Sequence, residues 1–282
     1  ERDGHQMLPV NTVVNSFFYL NMVIMAEFAG LLEKPADEDH FEFMAAKVKQ
    51  TMNEKLFNRE KGIYIDGEGA THSSLHSNMF PLAFGLVPDQ YMKSVVDFIK
   101  SRGMACSVYG SQYLLEGLFR AGEAEYALGL MTALHDRSWW HMIASGTTIT
   151  LEAWDLKYKP NMDWNHAWGA APANIIPRYL WGIQPKTAGF GVVSIQPQLA
   201  DLKHSSITYP TIRGLINCNY QRINSRFKEY SIELPANMVG ELILDDPGES
   251  VVTINGKRSD PGFGSVRLRP GTNLVEVRIN SF

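Results

Sequence analysis

Along the first two thirds of the chain, apolar residues recur every three or four positions in blocks separated by short Gly, Pro and Asp punctuation. That is the period of helices burying one face. The blocks predict helices over residues 11–32, 36–57, 74–84, 91–101, 109–121, 123–134 and 166–181. In the second, Phe41, Met44, Ala45, Val48, Met52 and Leu56 form one stripe, while Glu42, Lys47, Lys49 and Glu54 face elsewhere. Short links make neighbouring helices antiparallel pairs, and no strands lie between them to build a parallel sheet. A ring of helical hairpins fits better than a four-helix bundle. A closed ring of six hairpins would need roughly twelve helices, so this half is expected to be incomplete on its own.

Beyond Gly189 the pattern changes to alternation. Val251-Val252-Thr253-Ile254 precedes an Asn255-Gly256 turn, and Ser265-Val266-Arg267-Leu268 and Leu274-Val275-Glu276-Val277-Arg278-Ile279 follow. Asn-Gly is a hairpin signal because both positions tolerate positive φ. Segments 191–195, 215–222, 227–234 and 241–244 complete a run of short strands at sandwich spacing. The chain therefore reads as two domains, residues 1–184 and residues 185–282, the second an antiparallel β-sandwich.

Composition narrows the possible partners. With 26 basic and 30 acidic residues and a net charge of −4, the chain has no Lys/Arg run to follow a phosphate backbone, which argues against nucleic acid. Segment 13–32, the most apolar stretch, is interrupted by Asn15, Ser16, Asn21 and Glu27, so no membrane span is expected. Cys106 and Cys218 fall in different domains and support neither a disulfide nor a zinc site. The chain begins at Glu1 with no signal peptide, and is expected to be part of a longer polypeptide.

Chemistry concentrates between Ser138 and Gly169. Trp139, Trp140, Trp154, Trp164 and Trp168, five of the 6 tryptophans, lie there among His141, Thr147, Thr148, Glu152, Asp155, Asp163, Asn165 and His166. Sugars present C–H faces that stack on indole rings and hydroxyls that need polar partners. Glycoside hydrolysis needs one carboxylic acid and one carboxylate. Glu152, between Leu151 and Trp154, is the best candidate for one of them, and burial there would raise its pKa; a solvent-exposed or helix-capping Glu is an equally weighted reading of the same residues.

The order Ser138-Trp139, Gly146-Thr147-Thr148, Glu152-Ala153-Trp154-Asp155, Asn165-His166, Arg178-Tyr179-Leu180-Trp181-Gly182-Ile183-Gln184-Pro185 and Ile195-Gln196-Pro197 resembles the C-terminal portion of glycoside hydrolase family 78, the α-L-rhamnosidases, over roughly residues 36–210. The resemblance implies a partial (α/α)6 toroid followed by a β-sandwich, and inverting removal of terminal L-rhamnose from glycosides or polysaccharides. It puts the general base on Glu152 and a sugar contact on His166, with Trp139, Trp140, Trp154, Asp155 and Asn165 completing the substrate-binding set. It implies no cofactor and no metal, a carbohydrate as partner, and work outside the cytoplasm.

Two departures stand out. Leu151 occupies the place of a Trp that usually precedes the base, and the family's upstream Arg-Asp-Glu motif, the source of its general acid, is absent: Glu1-Arg2-Asp3-Gly4 lacks the Glu. Asp155, Asp163 and Glu116 are the substitutes this chain offers, read first as hydrogen-bonding partners and a helix-face residue. The chain alone is expected to be inactive and, with an open ring, to dimerise or be poorly soluble. A non-catalytic sugar-binding or scaffold relative, and a toroidal hydrolase or phosphorylase acting on another sugar, remain alternatives. His72 and His76 have i, i+4 spacing but lack further ligands nearby, which favours a polar rim or cap over a metal site. His141 reads equally as pocket or surface. With Tyr209, Tyr220 and Tyr230 scattered, the β-domain reads as structural rather than as a sugar-binding face.

Overall fold

A computed structural model describes residues 2–244, 250–259 and 264–279, so Glu1 of the opening segment lies outside the described residues. The chain divides into two compact units, Glu1–Ala171 and Pro172–Phe282.

The first unit is helical. Helices α1 (Thr12–Leu31) and α2 (Pro35–Lys55) form a hairpin. Asn11 starts α1 by accepting the Val14 N–H at 2.9 Å. Pro35 opens α2 with Asp37 and Glu38 in its first turn, where fixed φ and negative charge suit the unpaired N–H groups. A small hairpin follows, β1 (Phe57–Asn58) with β2 (Ile63–Tyr64), which the helical period does not announce. Then come α3 (His76–Ala83), α4 (Met92–Arg102), α5 (Ser111–Arg120) and α6 (Ala124–Met131). Met79, Leu82, Ile99, Leu114, Leu115, Leu118 and Phe119 from these helices are buried together with Leu75 and Leu86. Another unannounced helix, α7 (Trp139–Ala144), begins where the Ser138 hydroxyl accepts the His141 N–H at 3.1 Å.

The helix expected over 166–181 is corrected. His166 is extended (φ −139°, ψ 103°), with its N–H held by the Thr150 carbonyl at 2.8 Å, and caps only a single 3-10 turn over Ala167–Gly169, whose Gly169 N–H reaches the His166 carbonyl at 3.0 Å. Regular helix begins at α8 (Ala171–Ile175) and runs into a π-helical turn over Ile176–Leu180.

The second unit holds two sheets. Strands β3 (Ile183–Pro185), β4 (Val192–Ile195), β8 (Val239–Ile243) and β11 (Ser265–Leu268) form one, in the order β11-β8-β4-β3. Strands β5 (His204–Thr211), β6 (Gly214–Asn224), β7 (Phe227–Leu234), β9 (Ser250–Ile254), β10 (Lys257–Ser259) and β12 (Gly271–Ile279) form the other, in the order β10-β9-β12-β7-β6-β5. Among the described residues all pairings are antiparallel except β4 with β8. The inner face carries Ile216, Cys218, Tyr220, Tyr230, Ile232, Val252, Val275 and Val277, all buried. The sheets meet where β8 has no side chain: a Cβ on Gly240 would stand 3.0 Å from Leu234 Cδ1 and 3.1 Å from Val193 Cγ1. The Asn255-Gly256 turn joins β9 to β10, with φ of 49° and 75° as the hairpin type demands. Both cysteines are buried, one in each unit.

Among the described residues one helix, α1, is long and apolar enough to cross a membrane by length and composition alone. Asn15, Asn21 and Glu27 interrupt it, and it pairs with α2.

Candidate active site

The segment after α7 has no regular structure, and hydrogen bonds between distant residues fix it instead. Residues 150–152 run beside 163–166: Glu152 N–H donates to the Asp163 carbonyl at 3.1 Å, and the Thr150 hydroxyl to the His166 carbonyl at 2.7 Å. Leu151 and Ala153 are buried, which turns the intervening Glu152 the other way. Two indoles anchor the segment. Trp154 Nε1 donates to the Cys106 carbonyl at 2.8 Å, Trp139 Nε1 to the Gly169 carbonyl at 2.6 Å, and the two rings meet edge to face at 5.0 Å. Only glycine fits at 169, since a Cβ there would lie 2.7 Å from Thr150 Cβ and 2.8 Å from the Leu151 carbonyl oxygen.

Glu152 is not shut in the apolar environment its sequence neighbours suggest: its side chain keeps 23% exposure. Lys159 Nζ donates to Oε1, and the Asp163 N–H to Oε2 at 3.0 Å. These two contacts, the Lys159 bond first, hold the carboxyl below its ordinary range. The expected upward shift is therefore reversed in direction, because charge and donors outweigh desolvation.

Around this carboxylate Asp163 and His166 offer atoms that all lie within 4.8 Å of one another and of Glu152. The His166 ring meets Trp168 edge-on at 5.3 Å, and Trp168 lies 4.9 Å from Tyr109. Trp168, Tyr109 and Trp164 are exposed, so an open aromatic surface runs from the imidazole to the start of α5. Lys159, Trp168 and Tyr109 are absent from the residues the sequence singles out for the site. Tyr109 and Lys159 carry no motif; Trp168 lay in the tryptophan cluster. Glu152, Asp163 and His166 form a donor set that could hold a divalent cation, but an ion would have to displace Lys159 from Glu152.

The remaining predicted residues divide. Asp155 accepts from His141 Nε2 at 2.6 Å and from the Lys157 N–H at 2.9 Å; these donors, the backbone one first, lower its pKa. Trp154 is a correction: with 0% exposure it offers no face to a sugar and serves as an internal post. Trp139 is partly exposed, its N–H already engaged, whereas Trp140 and Asn165 are exposed. Glu116 lies on α5, taking a hydrogen bond from Gln112 at 2.6 Å. His72 and His76 do not converge as a ligand pair. His72 Nδ1 bonds Asp66 at 2.7 Å, while His76 opens α3 against His5 and Phe80.

Comparison with known proteins bears on both units. Residues 1–180 match the bacterial alpha-L-rhamnosidase 6 hairpin glycosidase domain, and residues 182–259 the bacterial alpha-L-rhamnosidase C-terminal domain. Similar solved structures include the α-L-rhamnosidase of Dictyoglumus thermophilum (TM-score 0.79, 22% identity, 93% of this chain and 31% of that one). The Streptomyces avermitilis α-L-rhamnosidase complexed with L-rhamnose gives TM-score 0.75, 18% identity, and 94% and 26% coverage. The Aspergillus terreus α-L-rhamnosidase gives 0.74, 17%, and 94% and 30%. This chain thus spans under a third of the length of these relatives. No curated protein matches its sequence.

Proposed function

The chain belongs to the bacterial α-L-rhamnosidase family, and from that premise we propose that it carries the general base of an inverting hydrolysis that releases terminal L-rhamnose from glycosides or polysaccharides. The observation that supports this is the charge state of Glu152. A base must be ionised when substrate arrives, and Lys159 with the Asp163 N–H keeps this carboxyl ionised. Glu152 draws a proton from water, His166 and the Trp168–Tyr109 surface hold the sugar, and Asn165 and Trp140 extend the contact surface.

The same geometry argues against Asp163 and Asp155 as the acid. Inversion needs carboxyls roughly 6.5–9.5 Å apart with water between them, and Asp163 offers an oxygen within 4.8 Å of one on Glu152. Asp155 is held ionised by its donors, the wrong state for protonating a leaving oxygen. The acid is therefore assigned to a carboxyl outside these residues. A place of work outside the cytoplasm belongs to the same proposal.

The test is turnover of an aryl α-L-rhamnoside by the polypeptide carrying this chain, with the anomer first formed read by NMR. Glu152→Gln should reduce kcat by about 10²–10⁴-fold and the first product should be inverted; undiminished turnover would remove the base assignment. The Lys159–Glu152 ion pair favours a second reading, a sugar-binding relative without catalysis. Calorimetric binding of L-rhamnose with no hydrolysis would select it, and hydrolysis of other aryl glycosides in preference would select a different sugar.

A further inference from the structure

We propose that the outer face of the six-stranded sheet is a second, non-catalytic binding site for a neutral oligosaccharide chain. A cavity of about 490 Å³ lies on this face, lined by Ser206, Asn219, Gln221, Glu229, Ser231 and Leu274 among others. Its size falls within the range of about 300–1,000 Å³ usual for ligand sites.

Strand register explains the lining. Ser206 pairs with Asn219, Asn219 with Ser231, and Ser231 with Leu274, so one row crosses β5, β6, β7 and β12. The next row is His204, Gln221, Glu229 and Glu276 by the same pairings. Neighbouring strands stand about 4.8 Å apart, so the second row presents polar groups over about 14 Å and the first over about 10 Å before it ends in Leu274, the reach of a short oligosaccharide.

The polar groups here differ from those alongside. One row away, Asn217 is closed off by Thr208 at 2.9 Å and Glu233 at 3.0 Å. Among the described residues the side chains of Ser206, Asn219, Gln221, Glu229 and Ser231 make no hydrogen bond, whereas Glu276 at the end of its row accepts from the Thr253 hydroxyl at 3.3 Å and lies 3.5 Å from Arg278.

The chemistry selects the ligand. Amides and hydroxyls both donate and accept, as sugar hydroxyls do. Glu229 and Glu276 sit opposite each other and accept only. No Lys or Arg lines the cavity, so phosphates, uronates and nucleic acid find no counter-charge. The exposed Leu274 supplies an apolar patch for a C–H face. Tyr220 and Tyr230 pack on the inner side, with rings 5.1 Å apart, so affinity here rests on hydrogen bonds.

The experiment probes the full chain on an array of neutral and anionic glycans. Binding to at least one neutral glycan is expected, reduced at least tenfold in an Asn219→Ala/Gln221→Ala double variant and abolished by Ser231→Trp, which fills the cavity. Both changes lie on the solvent face, and unchanged melting curves would certify the fold. Glu152→Gln should leave this binding intact, which separates it from the catalytic reading. Absence of any neutral ligand, binding confined to anionic glycans, or binding undiminished in both folded variants would overturn it.

Discussion

Lys159 donates to Glu152 Oε1 while the Asp163 N–H occupies Oε2, so the candidate base has one bond from a side chain that can be removed and one from backbone that cannot. Removing the ammonium takes away the first-ranked cause of the lowered pKa. In Lys159→Met the pKa of Glu152 should rise, and because the base works ionised, the acidic limb of the pH–rate profile should move to higher pH. An unmoved limb would mean that Glu152 does not set it.

Gly169 tests whether the irregular segment is as tightly specified as its contacts indicate. In Gly169→Ala the new methyl meets Thr150 and the Leu151 carbonyl, and the strand-like pairing of 150–152 with 163–166 must give way. Overpacking of this kind costs about 1–3 kcal/mol, to be measured by urea unfolding. Sugar binding should fall with it, because Glu152 and His166 are held by that pairing.

These contacts also show where sequence was informative. Alternating burial in β7 and β12 and the α1–α2 hairpin follow from local periods of two and 3.6, and Glu152 stands in a motif. Lys159 could not be found in that way, since the partners of residues 145–170 are set by hydrogen bonds between distant residues and no period applies. Trp154 misleads for a related reason: a tryptophan among polar neighbours suggests a sugar wall, but the Cys106 carbonyl takes its N–H inside the core. The half-exposed, polar β5 lacks a clean apolar row and was not foreseen.

A second polar cluster predicts pH-dependent stability. Burial, helped by the neighbouring His5, lowers the His76 pKa to about 4, against the opposing effects of Asp3 and Asp66, and its Nδ1 has no partner. The unfolded chain, near pH 6.5 for His, therefore binds more protons than the native state between about pH 4 and 6.5, and stability must fall as pH drops through that window. His76→Phe should flatten this slope, as read by urea midpoints from pH 4 to 7. Asp66 acts elsewhere on the scale. Against burial, its donors from His5, Ser77, Gln6 and His72 hold it far below the usual carboxylate range. Its contribution is present above pH ~3.9 and is lost at lower pH, outside most of the His76 window.

The apolar face of α1 gives a last prediction. Val14, Phe18, Met25, Phe28 and Leu31 are exposed along this helix, with Phe43 exposed on α2, and a cavity of about 330 Å³ lined by Val10, Met44, Val48 and Met52 lies beside them. A contiguous surface of this kind is ordinarily covered, and homodimerisation of this chain is one way to cover it. Light scattering across a concentration series should show dimer or larger species. Phe28→Glu with Leu31→Glu should shift the population to monomer without lowering the melting temperature, because neither side chain is buried in the chain itself. A monodisperse monomer before substitution would show that this face needs no partner.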